Sequence, residues 1–266
     1  MEKFKSTCAD VQATRTFYHL RRTNNGYFVT KRLQFEPDGV IPRNMLKEAF
    51  KHAYDMTFGE IGEYRENRSG GDRCRDNREI FVNAFQGKLA ECALSTVLSR
   101  YDSTAVPDYS KHKRKKWDTG DLHVCGKNVS VKSTKHYGQL LLLETNDYSQ
   151  DGRYLHNKKE SQGVYDCTVS VRLKPSCEDL LKTSELERYE HGDWQYLWEL
   201  IAKENWEYNI AGYITRDDLI YIIRNKYILP KGAMLNGKQR MDAENYYVQV
   251  CDLRKLDTLA QVIGLE

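Results

Sequence analysis

Apolar residues recur along this chain with two different periods, and the switches between them mark its elements. Within 43–57, Met45, Leu46, Ala49, Phe50, Ala53 and Tyr54 stand three and four residues apart, the spacing of one helical face. A second long helix is expected over roughly 80–99. Between the two, residues 59–79 hold Gly59, Gly62, Gly70 and Gly71 among Arg65, Arg68, Arg73, Arg75 and Arg78, which reads as a polar, arginine-rich loop. Past residue 120 the period falls to two. Residues 121–125 and 128–134 read as strand, turn, strand, and 140–144 as a short apolar strand. In 164–173, Tyr165, Cys167, Val169, Val171 and Leu173 alternate with Asp166, Thr168, Ser170 and Arg172, the pattern of a half-buried strand. Helical spacing returns at about 177–190 and 193–204, followed by a strand at 208–214, a helix at 216–226 and a last strand at 245–251. Helices interleaved with strands predict a mixed α/β fold. No repeat divides the chain, so one domain is expected over 1–266. Within it, 1–79 is a helical and arginine-rich N-terminal segment, and 80–266 holds the core and the C-terminal strands.

The strand–turn–strand carries the most chemistry. A two-residue loop at Gly126-Lys127 sets Cys125 opposite Asn128, Val124 opposite Val129, His123 opposite Ser130, Leu122 opposite Val131 and Asp121 opposite Lys132. Leu122, Val124, Val129 and Val131 then form one apolar face, and Asp121, His123, Ser130 and Lys132 the other. Directly opposed side chains of an antiparallel pair have Cβ atoms roughly 4.5–5.5 Å apart. An aspartate and a lysine are thereby expected side by side on a sheet whose far face is core. A cross-strand surface salt bridge is the plain alternative, and it stabilises little.

Glu91 adds a second acidic candidate. On the helix from Ile80 it shares a face with Ala84, Gly87, Leu94 and Leu98. A carboxylate on such a face needs a partner, either a hydrogen-bonding group of the protein or a metal ion, because burying it charged and alone is costly.

These stretches, in this order, resemble the PD-(D/E)xK nuclease superfamily, particularly type II restriction endonucleases. The resemblance rests on Phe85-Gln86-Gly87-Lys88-Leu89-Ala90-Glu91, then Asp118-Thr119-Gly120-Asp121-Leu122, then Val129-Ser130-Val131-Lys132-Ser133-Thr134, with the strand ending Leu143-Glu144 also similar. It implies a restriction-endonuclease-like core, a mixed central sheet flanked by helices. It also implies a single nuclease domain that hydrolyses phosphodiester bonds of double-stranded DNA at a specific site with Mg²⁺. Asp121, Lys132 and Glu91 are the catalytic residues so implied. Asp121, Glu91 and the main-chain carbonyl of Val131 are the metal ligands, with Glu144 as the second choice of carboxylate. The chain departs from the pattern at Ser130, where a second carboxylate is usual. A repair or phage DNA-processing nuclease of the same fold, or a non-catalytic DNA-binding relative, are the alternatives. His123 is a lesser candidate for a general base, and Asp118 competes with Asp121.

Charge changes the picture only locally. The chain has 41 basic and 38 acidic residues, a net charge of +3 that does not by itself point to nucleic acid. The run Lys111-His112-Lys113-Arg114-Lys115-Lys116 does, because it precedes the hairpin and such side chains neutralise phosphates. Lys113, Arg114, Lys115 and Lys116 are therefore expected to bind DNA, and Arg73 and Arg75 to contribute base contacts. A twofold homodimer suits an enzyme that cuts both strands of a palindrome. Seven widely spaced cysteines without a CxxC pair suggest neither a disulfide framework nor a zinc site. No signal-like or membrane-spanning apolar run occurs, so a cytoplasmic protein without a membrane partner is expected.

Overall fold

The computed structural model describes residues 16–24, 26–59, 76–101, 104–109, 122–156, 163–182 and 192–264. Along the chain it contains β1 (Arg21–Thr23), β2 (Gly26–Phe28), β3 (Gly39–Val40), α1 (Arg43–Phe58), α2 (Asn77–Leu98), β4 (Leu122–Val124), β5 (Lys127–Lys135) and β6 (Leu140–Glu144). There follow β7 (Cys167–Lys174), α3 (Cys177–Lys182), α4 (Trp194–Ala202), β8 (Glu207–Thr215), α5 (Arg216–Arg224), β9 (Ile228–Leu229), β10 (Met234–Leu235), β11 (Gln239–Arg240), β12 (Asn245–Gln249) and α6 (Leu259–Ile263). The fold is mixed α/β.

The central sheet has the order β3-β8-β7-β5-β4, with β5 and β7 parallel and the other pairs antiparallel. One face is apolar: Val129, Val131, Val169 and Val171 pack with Phe50, Phe85 and Leu89 of α1 and α2. Helix α2 starts where Asp76 accepts a hydrogen bond from the Glu79 amide at 2.8 Å, a side-chain N-cap. The Thr215-x-x-Asp218 sequence forms a reciprocal capping box that turns β8 directly into α5.

The other sheet face is polar but covered. Thr168, Ser170 and Arg172 are all buried on β7, so this strand is central and enclosed on both sides rather than half-buried as its alternation suggested. The cover has two parts. A three-stranded sheet, β6-β12-β9, carries a second apolar cluster that includes Leu141, Leu143, Val248 and Ile214. An extended N-terminal segment closes the rest, held by side chains bonded to its backbone. The Arg172 guanidinium donates to the Leu33 and Gln34 carbonyls at 3.0 and 2.8 Å and to Asn209 Oδ1. Gln249, fully buried, accepts from the Thr30 amide at 2.7 Å and donates to the Tyr18 carbonyl at 3.0 Å.

Residues 16–40 are therefore extended chain and short strands, and the helical part of the N-terminal segment is α1. Residues 16–40 belong with the C-terminal part of the protein: β1 and β2 join β10 and β11 in a four-stranded sheet of order β1-β2-β10-β11. The glycine- and arginine-rich stretch 60–75, with Arg73 and Arg75, lies outside the described residues.

Strand β8 keeps its apolar side chains on the helical face only by a bulge. Val171 pairs with Ile210 and Ser170 with Gly212, which leaves Ala211 unpaired and shifts the parity. Tyr208, Ile210 and Tyr213 consequently share one core cluster. Gly212 sits at φ +130°, and a Cβ there would collide with the Arg254 carbonyl oxygen and lie 2.7 Å from Leu253 Cβ. Gly212→Ala is expected to cost about 2–4 kcal/mol of stability through strain and overpacking, read from the urea midpoint. A shift below about 0.5 kcal/mol would show that the bulge relaxes without cost.

Candidate active site

Strand β5 projects Lys132 away from the helices, level with Ser170 of β7. There it opens on a cavity of about 240 Å³ between the central sheet and the β6–β12 pair, lined also by Glu144, Asp242, Asn245 and Thr134. Glu144 ends β6 directly opposite Asn245 of β12, so two paired strands fix its backbone. The Lys132 ammonium stands 6.0 Å from the centroid of the Tyr154 ring, within reach of a cation–π attraction. Tyr154 in turn contacts His156, whose Nε2 donates to Asp147 Oδ1 at 2.8 Å. An ammonium and two carboxylates thus border one polar recess, with an aromatic ring against the ammonium.

The hairpin differs from its expected register. Leu122 lies opposite Val129, His123 opposite Asn128 and Val124 opposite Lys127, two residues short of the register placing Asp121 opposite Lys132. The loop is Cys125-Gly126, not Gly126-Lys127, with φ of +48° and +76°. Positive φ at both central residues is the geometry of a type I′ turn, whose twist matches the flanking strands. Because the slip is two residues, the face of each side chain is unchanged. Asp121, Asp118 and Lys113, Arg114, Lys115 and Lys116 lie outside the described residues. His123 is exposed and bonds Asn128 Oδ1 at 3.1 Å, away from the cavity. Ser130 is fully buried beside Thr168, and the Val131 side chain faces the helical core.

Glu91 is held elsewhere. Its carboxylate accepts from Lys88 Nζ at 2.6 Å, and the same ammonium donates to the Asp108 carbonyl at 2.6 Å. Both side chains are about nine-tenths buried. Of the expected site residues, Lys132 and Glu144 share a cavity, whereas Glu91 does not line it. Around the Lys88–Glu91 pair lie Cys92, bonded to the Tyr109 hydroxyl at 3.1 Å, and His52. Burial pushes the Cys92 thiol up to about 11 and the Tyr109 hydroxyl higher still. Burial, reinforced by the Lys88 cation, pushes His52 down to about 4 against the opposing pull of Asp55, Asp108 and the Tyr109 carbonyl. This cluster is a neutral-histidine, ion-paired core.

Asp242, Tyr154 and the Asp147–His156 pair were not singled out from the sequence. Asp242 stands three residues before the strand 245–251 recognised there, but only folding brings it to Lys132. Among the described residues no three Asp, Glu, His or Cys side chains gather as a metal cage, and no helix is long and apolar enough to cross a membrane. Compared with protein-family models, with curated proteins and with solved structures, the chain matches none.

Two outcomes test the buried cluster. Lys88→Met should destabilise the protein by about 3–5 kcal/mol by leaving Glu91 buried without its cation, with much of that recovered in Lys88→Met/Glu91→Leu. Equal stability of single and double variants in chemical denaturation would contradict this. For His52 the folded value lies below the ordinary 6.5, so the unfolded state binds the extra proton and stability falls as pH drops from 6.5 toward 4. Wild type should lose about 2–3 kcal/mol more than His52→Gln between pH 7 and pH 4.5. Parallel pH–stability curves would refute the assignment.

Proposed function

We propose that the chain is a Mg²⁺-dependent endonuclease acting on double-stranded DNA, with Lys132, Glu144 and Asp242 at its centre. The observation that carries this reading is the meeting of Lys132 with two carboxylates in one polar cavity against the central sheet. It adds to the resemblance of the β4–β5 region to PD-(D/E)xK nucleases of the type II restriction class.

The oxygen donors suit a hard cation. The Glu144 and Asp242 carboxylates would hold Mg²⁺, with Asp121 the further ligand that the sequence resemblance implies. A pair of carboxylates is enough, because Mg²⁺ keeps several waters and takes phosphate oxygens as its remaining ligands. When bound, Mg²⁺ supplies charge neutralisation at the phosphate and a water of lowered pKa. Lys132 donates hydrogen bonds to a non-bridging phosphate oxygen and orients the attacking water. In the hydrolysis one P–O bond forms to that water and one breaks to the leaving sugar oxygen, which takes up a proton. Lys132 carries its positive charge where negative charge grows, and a preorganised cation of that kind stabilises the transition state. Tyr154 limits the directions open to the ammonium by covering one side of it. Glu91 has a structural role in this reading, because Lys88 already satisfies it. Cleavage at a palindrome would call for a homodimer.

Supercoiled plasmid incubated with the protein and Mg²⁺ should yield discrete linear fragments, and chelation should stop the reaction. Lys132→Ala and Glu144→Gln should each lower the rate at least ~100-fold, while Glu91→Gln lowers thermal stability more than it lowers the rate per folded molecule. Loss of activity in folded Glu91→Gln with full activity in Glu144→Gln would move the metal site to α2. Binding without any cleavage by wild type would overturn the catalytic reading altogether.

A further inference from the structure

The chain's small surplus of positive charge is unevenly spread. Residues 16–35 contain Arg21, Arg22, Lys31 and Arg32 and no acidic residue; residues 225–241 contain Lys226, Lys231, Lys238 and Arg240 and none either. With these eight set aside from the 41 basic residues, 33 remain against 38 acidic ones. The protein outside the two segments is net negative, so the segments are a local electropositive field on an acidic body.

Folding joins them. They form the four-stranded sheet β1-β2-β10-β11, in which Tyr27 of β2 pairs with Leu235 of β10 although the residues are over two hundred positions apart. All eight cations are exposed, and Arg21, Arg32, Lys238 and Arg240 enter no ion pair with a described carboxylate. A tight turn builds one side of this sheet: Asn236-Gly237, with φ of +51° and +67°, closes a β10–β11 hairpin in which the Lys238 amide donates to the Leu235 carbonyl at 3.1 Å.

The register assigns the faces. Tyr27 and Leu235 pack inward on the second apolar cluster. Their neighbours Arg21, Phe28, Met234 and Arg240 consequently point outward. Arg21 stacks 5.4 Å from the centroid of Phe28, its cross-strand partner, so its guanidinium is supported over the sheet. Arg21 and Arg240 stand on the two edge strands, three interstrand spacings or about 14 Å apart across the sheet and two residues or about 7 Å out of register along it, roughly 16 Å in all. That span is of the same order as the ~12 Å width of the B-DNA major groove, whose two rims are phosphate backbones.

The same sheet adjoins the candidate active site. Arg32, Asn236 and Lys238 line a cavity of about 770 Å³ that shares Thr134, Leu140 and Gln239 with the recess at Lys132. The inward, Leu235–Gln239 side of the sheet therefore borders the recess at Lys132, while Arg21 and Arg240 lie on its outer face.

We infer that this β1-β2-β10-β11 sheet is a docking surface for the phosphate backbones of duplex DNA. That the polyanion is duplex DNA rests on the nuclease reading; the cation field stands without it. Phosphate contacts of this kind fix a duplex on the outer face of the sheet and carry no sequence information themselves.

The test uses the full chain, a 30-base-pair duplex and EDTA, with binding followed by fluorescence anisotropy over a range of salt. Wild type should bind with a steep salt dependence. The triple variant Arg21→Ala/Lys238→Ala/Arg240→Ala should bind at least ~10-fold more weakly at 0.1 M salt, with the slope of log K against log salt smaller by about 2–3. Matching melting temperatures of the two proteins confirm that the change is at the surface. An unchanged slope in the triple variant overturns the docking surface and leaves the nuclease reading intact if plasmid is still cut. A slope that falls as expected while wild type cuts no plasmid supports the surface and removes the nuclease reading. Preference for a single strand of the same length over the duplex overturns the duplex assignment.

Discussion

The parallel ladder between β5 and β7 is the constraint on which the structure depends. It runs from Val129 opposite Cys167 to Lys135 opposite Leu173, and it buries both faces of β7 while leaving the second half of β5 partly open. One face is valine-rich and pairs readily with α1 and α2. The other carries Ser130, Lys132, Thr168, Ser170 and Arg172, and no apolar layer can lie flat on it without leaving polar groups unsatisfied. Arg172 resolves this at one end by reaching the backbone of residues 33 and 34. At Lys132 the cover is incomplete, and the gap is the candidate active site.

That arrangement separates two kinds of buried charge. Lys88 and Glu91 satisfy each other at 2.6 Å inside the helical layer, with the Asp108 carbonyl taking a further Lys88 hydrogen bond. Their geometry is closed, and their environment keeps His52 neutral. Lys132 instead faces a cavity with Glu144 and Asp242 across it. A recess that admits water and phosphate is where an ammonium and carboxylates have chemistry to do, which is why the proposed centre moves from α2 to β6 and the residues before β12.

The remote segments are tied to this site by side chains rather than by continuous strands. Gln249 and Gln139 clamp residues 30 and 33 through their backbones, and Arg172 clamps 33 and 34. The basic sheet that these clamps position borders the recess at Lys132 with its inner face and carries Arg21 and Arg240 on its outer one. Its strands are two or three residues long, and tertiary neighbours stabilise them more than their own hydrogen bonds do.

Local pattern alone determined much of this protein. The helices at 43–57 and 80–99, the strands at 140–144 and 208–214 and the face on which Lys132 lies all follow from side-chain period, since that period is a property of neighbouring residues. Asn236-Gly237 closes its hairpin by equally local chemistry, both residues taking positive φ. Tertiary structure decided the rest. Whether β7 is half or wholly buried depends on what covers its polar side. The hairpin register depended on which residues accept positive φ, and Cys125 took a position that the sequence suggests for glycine. The partner of Glu91 proved to be Lys88, one turn away on its own helix. The placing of Lys132, Glu144 and Asp242 around one cavity, and of Arg21 and Arg240 on one sheet, spans stretches of chain that share no local pattern, and only tertiary packing brings them together.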